Sequence, residues 1–299
     1  MKILVIGSRG FIGSHCVEYF SRRHEVWECD VVMDYNSPRY VFIEAVDSDF
    51  RDLFRCRKFD VCINCSGAAS VPFSLERPFN DFQLNAVNVF QAHDAIRCHN
   101  PECRYINMSS AAVYGNPLRL PVSEDQDPSP VSPYGIHKMT AERICDEFTR
   151  FWGVKTCCIR IFSAYGPGLK KQLLWDISQK LKSDGPLMLF GTGKETRDFI
   201  HIDDLVRLID TVIRNAAFDA DVINAASGVE TAVSRVAETM VELISPNREI
   251  VFSNSARKGD PLNWVADISK VSAFGYSPEV DIVSGIKSYV AWLEENALL

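Results

Sequence analysis

Tyr134 and Lys138 stand four residues apart in Pro133-Tyr134-Gly135-Ile136-His137-Lys138, at the opening of a segment with helical periodicity that runs to about Trp152. Tyr134, Lys138, Ala141, Cys145, Phe148 and Trp152 follow one another at intervals of four and three, so a single inward-facing stripe carries all six. A phenol and an ammonium one turn apart are suited to moving a proton. The ammonium favours the ionised phenol, and loss of water opposes it. For Tyr134 to act as a base the ammonium must win, and lowering a phenol from ~10 to about 7 takes roughly 4 kcal/mol. Tyr-x-x-x-Lys arises often by chance, so the weight falls on what the rest of the chain brings to it. Ser110, in Ser109-Ser110-Ala111-Ala112-Val113-Tyr114-Gly115, follows an apolar run from Arg104 to Met108 and would present a hydroxyl at a strand end.

The elements that must position these groups alternate. Lys2–Ile6 reads as a strand running into Gly7-Ser8-Arg9-Gly10-Phe11-Ile12-Gly13, with helical character from Ser14 to Arg22. Strand, glycine turn and helix in that order suit a dinucleotide pyrophosphate: bare backbone lets the phosphates approach, and the helix N-terminus supplies N–H groups and a favourable dipole. The next strand, Glu25 to Cys29, ends at Asp30, whose carboxylate can accept bonds from an adenosine ribose and would repel a 2′-phosphate. This favours NAD, although Arg9 is a cation that could instead receive that phosphate of NADP. Tyr40–Val46 forms a third strand, with Asp47 placed to meet an adenine amino group. Val61–Cys65 leads into Ser66-Gly67-Ala68-Ala69-Ser70, small residues against which a cofactor can lie. A helix over Asn85–His99 precedes the Arg104 strand. The rhythm predicts an α/β fold with a doubly wound parallel sheet, binding ligand at the C-terminal strand ends.

Bulk properties exclude several alternatives. In 299 residues, 46% hydrophobic and 24% charged, a net charge of −7 argues against a polyanionic partner. No apolar run reaches the roughly 20 residues of a membrane span, and no signal-peptide pattern precedes the first strand, so a cytoplasmic location is expected. The ten cysteines are scattered as buried reduced thiols would be. Cys62 and Cys65 form a Cys-x-x-Cys inside a strand and not at a helix start, which argues against redox chemistry. No cluster has metal-ligand spacing, and no metal is expected.

Three motifs, the Gly7/Gly10/Gly13 loop, Ser109–Gly115 and Pro133–Lys138, together resemble the extended short-chain dehydrogenase/reductases, and specifically their nucleotide-sugar epimerases and dehydratases such as the UDP-galactose 4-epimerase group. The resemblance implies a catalytic Ser110, Tyr134 and Lys138, with Lys138 also on the nicotinamide ribose. It implies a cofactor set of Gly7, Arg9, Gly10, Phe11, Ile12, Gly13, Asp30, Asp47, Ser66, Gly67, Ala68, Asn85, Tyr134, Lys138 and Phe162. Members commonly dimerise through a four-helix bundle, here built from the Asn85 and Tyr134 helices.

Val154–Phe162 gives a further strand, continuing into Arg160-Ile161-Phe162-Ser163-Ala164-Tyr165-Gly166-Pro167, where the family usually has asparagine at the position of Ser163. Beyond Pro167 the rhythm breaks. Residues 1–166 and 198–227 are expected to form the Rossmann domain, and 167–197 and 228–299 a smaller α/β substrate domain. Gly191-Thr192-Gly193-Lys194-Glu195-Thr196-Arg197-Asp198-Phe199 resembles the nucleotide-sugar signature, implying Arg197 on the diphosphate and Phe190 on the base. Arg257-Lys258-Gly259-Asp260 matches the family's Arg-x-Gly-Asp, bringing a second arginine. Ser70, Ser110, Ser163, Phe190, Arg197, Arg257 and Asp260 make up the implied substrate set, while Asp203 and Asp204 suit a helix N-terminus. The expected activity is an NAD-dependent epimerisation of a nucleotide-diphosphate sugar at C4 through a 4-keto intermediate. The alternatives are an NAD(P)H-dependent reductase of a 4-keto sugar and a silent cofactor-binding module. A 4,6-dehydratase needs an acidic pair where this chain has Ala111 and Ala112.

Overall fold

The computed structural model describes residues 1–34, 36–45, 48–255 and 263–299. They form two compact units. The first comprises Met1–Gly115, Glu124–Ile161 and Ile209–Asn224, and the second Asn116–Ser123, Phe162–Leu208 and Ala225–Leu299.

Apolar strands without alternation need cover on both faces, and the first unit's strands are of this kind: Ile3, Leu4, Val5, Val61, Cys62, Ile63 and Ile106 are all fully buried. They assemble a seven-stranded sheet in the order Asp219–Ala225, Thr156–Ile161, Arg104–Ser110, Val61–Asn64, Lys2–Ile6, Glu25–Asp30, Tyr40–Phe42. The last six pair in parallel, with Ile6 opposite Asn64 on one side and Cys29 on the other. Strand order reverses between Lys2–Ile6 and Val61–Asn64, so the glycine loop leaves the sheet at its switch point, as expected for a doubly wound fold. The ten cysteines are free thiols, seven of them buried as small core residues; burial pushes the Cys62 thiol well above its ordinary value, so that this thiol is a poor nucleophile.

Beyond shifts of a residue or two at several element ends, two boundaries differ from expectation near the cofactor site. The third strand stops at Phe42, and its expected end, Val46, lies with Asp47 outside the described residues. The Asn85 helix opens instead with a π turn over Gln83–Val87, and regular α-helix begins at Asn88. Such a turn inserts one residue into the helical count, and helical spacing alone does not reveal it.

In the second unit, Thr196–His201 pairs in parallel with Ser163–Tyr165 and antiparallel with Glu230–Ala232; Leu187–Leu189 pairs with Ile250–Phe252. Asp198 organises this unit. Its fully buried carboxylate accepts bonds from the Ser227 N–H (2.8 Å) and hydroxyl (2.7 Å), the Gly228 N–H (2.9 Å) and the Ala266 N–H (3.1 Å). Asp203 and Asp204 open the helix Ile202–Asn215. Asp204 pairs with Arg207 and accepts from the N–H groups of Glu279 and Val280, a structural role. Val122 carries the 116–123 segment into this unit through a bridge to Ala266.

Replacing Asp198 with alanine strands three buried N–H donors. It should lower stability by about 3 kcal/mol, read as a fall in the urea midpoint.

Candidate active site and cofactor site

The helix Pro133–Trp152 is locally well specified. Ser132 caps it by accepting the Gly135 N–H at 3.2 Å, proline fills the first turn, and Gly153 closes it in a left-handed conformation. Tyr134, Lys138, Ala141, Cys145 and Phe148 are buried as the stripe requires; Trp152 is not, being 45% exposed against Phe148 and Arg97. Ser110 ends its strand and caps the short turn Ala111–Val113 by accepting the Ala112 N–H at 3.2 Å. These two pieces meet because Gly135 has no side chain. A Cβ there would lie 2.6 Å from the Ala112 carbonyl oxygen and 2.9 Å from Pro130 Cβ. The close approach brings the Ser110 hydroxyl near enough to the Tyr134 phenol to bear on its ionisation. Lys138 is tied to the same strand, donating from Nζ to the Met108 carbonyl at 2.8 Å, with Nζ 6.0 Å from the Tyr134 ring centre.

Ser110, Tyr134 and Lys138 thus converge as the sequence predicts, but the expected electrostatic balance is reversed. Burial pushes the Tyr134 phenol up to about 12; the nearby Ser110 hydroxyl opposes this, and the Asp81 charge adds to it. Burial also brings Lys138 down to about 8, against the opposing pull of Asp81. The chain's own charges do not acidify Tyr134. The positively charged nicotinamide of NAD is the kind of group that would.

Sequence reasoning missed two features. Asp81, fully buried on the short helix Pro78–Phe82, pairs at 2.5 Å with Nδ1 of His137, which sits between Tyr134 and Lys138. Glu142, one turn beyond Lys138, accepts the Ser109 hydroxyl (2.6 Å) and a two-pronged bond from Arg160 (2.9 and 2.7 Å), bracing the strand end from behind. The 134/138/142 spacing could have identified Glu142. Asp81, 56 residues from its partner, left no such trace.

The glycine loop has the shape a dinucleotide requires. At Gly7, with φ +77°, a Cβ would meet the Ser66 nitrogen at 2.7 Å; at Gly13 it would meet the Gly7 carbonyl oxygen at 2.0 Å. Gly10 caps the helix Phe11–Ser21, which includes Ile12 and leaves its first N–H groups open. Asp30 accepts the N–H groups of Arg9 and Val31, both at 2.7 Å. Asn85, in the π turn, is buried with neither end of its amide paired, and Gly67 lies against it. A buried amide and a bare backbone awaiting partners fit NAD, which these residues would hold. The Ser66 hydroxyl is already committed to Asn64, and Ser70 caps the helix Val71–Glu76. Ala68 lies between them in the same turn. Asp47 is outside the described residues.

In the second unit, Phe162 packs edge-on against Trp264 at 5.9 Å, and the Arg197 guanidinium lies 5.8 Å from the same indole. Phe190 is exposed, with Lys180 over its ring at 5.9 Å. Ser163 opens its strand, half-buried. Arg257 and Asp260 lie outside the described residues.

Glycine loop, parallel sheet and Ser/Tyr/Lys cluster define a Rossmann-fold enzyme of the extended short-chain dehydrogenase/reductase type. The chain belongs to the NAD dependent epimerase/dehydratase family, whose model matches residues 3–226. It is 28% identical over 318 residues to the uncharacterised UDP-glucose epimerase YtcB of Bacillus subtilis (98% of each chain). It is 26% identical over 316 residues to the UDP-glucose 4-epimerase of Mycolicibacterium smegmatis (99% of this chain, all of the relative). The UDP-glucuronic acid 4-epimerase of Bacillus cereus, solved with UDP-glucuronic acid and NAD, superposes with a TM-score of 0.89 at 26% identity, covering 99% of this chain and 100% of that one. The chain is an enzyme of this family, its cofactor is NAD, and its chemistry is that of the nucleotide-sugar epimerases.

Gly135→Ala should cut turnover at least about tenfold despite alanine's better helix propensity, because the added Cβ separates Tyr134 from Ser110; steady-state kinetics checks this. A second expectation concerns pH. Lys138 titrates near 8 when folded, so between pH 8 and 10 the unfolded chain binds its proton and the native chain does not. Stability from this group therefore rises with pH across that window, and the raised Tyr134 acts oppositely only above ~10. In urea titrations at the two pH values, the wild type should gain about 2 kcal/mol relative to Lys138→Met.

Proposed function

We propose that the chain interconverts the C4 epimers of a UDP-linked hexose or hexuronate. The observation that carries this reading is the convergence of Ser110, Tyr134 and Lys138, the lysine anchored on the strand that ends in Ser110, in the unit that carries the glycine loop. Tyr134 Oη takes the proton of the C4 hydroxyl and later returns it. Ser110 holds that oxygen by hydrogen bonding. Lys138, fixed on the Met108 carbonyl, supplies positive charge and would hold the nicotinamide ribose. Bound NAD would supply the acceptor and donor for the C4 hydride, and its positive ring would offset the burial that holds the Tyr134 phenol up. The 4-keto sugar turns over between the two transfers, tethered by its diphosphate. Arg197 and Arg257 are assigned to that diphosphate, with Asp260 beside them in the Arg-x-Gly-Asp motif. Phe190 is assigned to the base, and Ser70 and Ser163 to the sugar. Serine at 163 must come closer to its partner than a longer amide would. Ala111 and Ala112 provide no acid for loss of a C6 hydroxyl, which disfavours a dehydratase.

A homodimer through the paired helices Asn88–His99 and Pro133–Trp152 belongs to the same reading. It is supported by the outward-facing Phe90, Phe151 and Trp152 on these helices.

Purified protein incubated with UDP-glucose or UDP-glucuronic acid should yield the C4 epimer by NMR without added NADH. Stoichiometric nicotinamide oxidation with a 4-keto sugar would instead establish a reductase. Tyr134→Phe should lower turnover by at least about a thousandfold while retaining NAD. Unchanged turnover would refute the assignment.

A further inference from the structure

The cation in the glycine loop poses a problem for cofactor choice, because a guanidinium beside an adenosine ribose is suited to receiving a 2′-phosphate. The structure shows that Arg9 is already engaged. Its Nη1 lies 3.1 Å from Glu28 Oε2, and its Nη2 pairs with Asp34. The guanidinium carbon sits 5.0 Å from the centre of the Tyr40 ring. Glu28 and Asp34 are held in place independently. Glu28 belongs to the strand Glu25–Asp30, two residues before Asp30, and its side chain is only 14% exposed. Asp34 accepts the Asn36 N–H at 2.8 Å. Arg9, Glu28, Asp30 and Asp34 together bring one positive and three negative charges, a net −2.

We propose that Glu28 and Asp34 form an anionic clamp that neutralises Arg9, turning a cation suited to NADP into part of the barrier against it. Discrimination for NAD is then shared by three carboxylates and does not fall to Asp30 alone. A 2′-phosphate could use Arg9 only by displacing a carboxylate from it. The displaced charge would then face the incoming dianion at close range. Isolated exposed ion pairs are weak, but here one guanidinium is shared between two carboxylates, one largely buried, and stacked on an aromatic ring. A ribose hydroxyl asks for no such displacement, so NAD binding is indifferent to the clamp. The inference concerns the dinucleotide and rests on no assignment of the sugar, so a failed epimerase assay would leave it standing.

The test is displacement of bound NADH, followed by its nicotinamide fluorescence, with NAD and NADP as competitors. The readout is the ratio of NADP to NAD concentrations needed for half-displacement. In Glu28→Gln/Asp34→Asn this ratio should fall at least about tenfold, with the NAD value moving less than threefold. Adding Arg9→Ala should abolish the gain, because the released guanidinium is what receives the phosphate. Asp34→Ser alone should give part of the effect and serves if the double variant fails to fold. A ratio within twofold of wild type in the folded variants, a gain that survives Arg9→Ala, or parallel changes in NAD and NADP would each overturn the proposal.

Discussion

A lysine ammonium buried among apolar side chains must find a strong acceptor or give up its charge. Lys138 finds the Met108 carbonyl, and that one bond fastens the Pro133 helix to the strand that delivers Ser110. Everything else at this site works around that tie. Gly135 removes the obstacle to contact at one end of the interface, and Glu142 grips Ser109 and Arg160 one turn further along. Three successive turns of a single helix therefore hold one strand end from different directions. The hydroxyl geometry depends on backbone and packed side chains.

The same burial that secures the geometry works against the chemistry. Removing water raises the phenol and lowers the ammonium, so burial pushes both groups towards their neutral forms. Family membership bears on this, because the cofactor is NAD, whose oxidised ring is positive. The protein supplies placement and the cofactor supplies the field. An arrangement of this kind keeps the base weak until its hydride acceptor is in place, which suits a reaction whose two halves must occur together.

What could be read from the chain without coordinates follows the range of the interactions. Helical spacing placed Tyr134, Lys138 and the inward stripe, and strand-turn-helix order placed the glycine loop, because both signals are local. The family motifs reach across the chain and placed Ser110 and the nucleotide-sugar chemistry. The balance of charge at Tyr134 was misjudged, since it depends on how completely water is excluded, which no spacing encodes. Asp81 with His137 was missed because its partners meet only through packing of separate helices. Arg9 lay between: Glu28 shares a strand face with Asp30 by simple alternation, so one of its two partners was legible, whereas Asp34 in the following turn was not.

The π turn over Gln83–Val87 carries a cost that the rest of the fold sustains. Its Asn85 amide is shut away with neither end satisfied, a placement that free energy alone would discard in favour of an aliphatic residue. An aliphatic side chain there should make the unliganded chain sturdier while weakening its hold on NAD. Selecting variants for heat resistance alone would thus tend to erase a buried amide that stands ready for a polar partner.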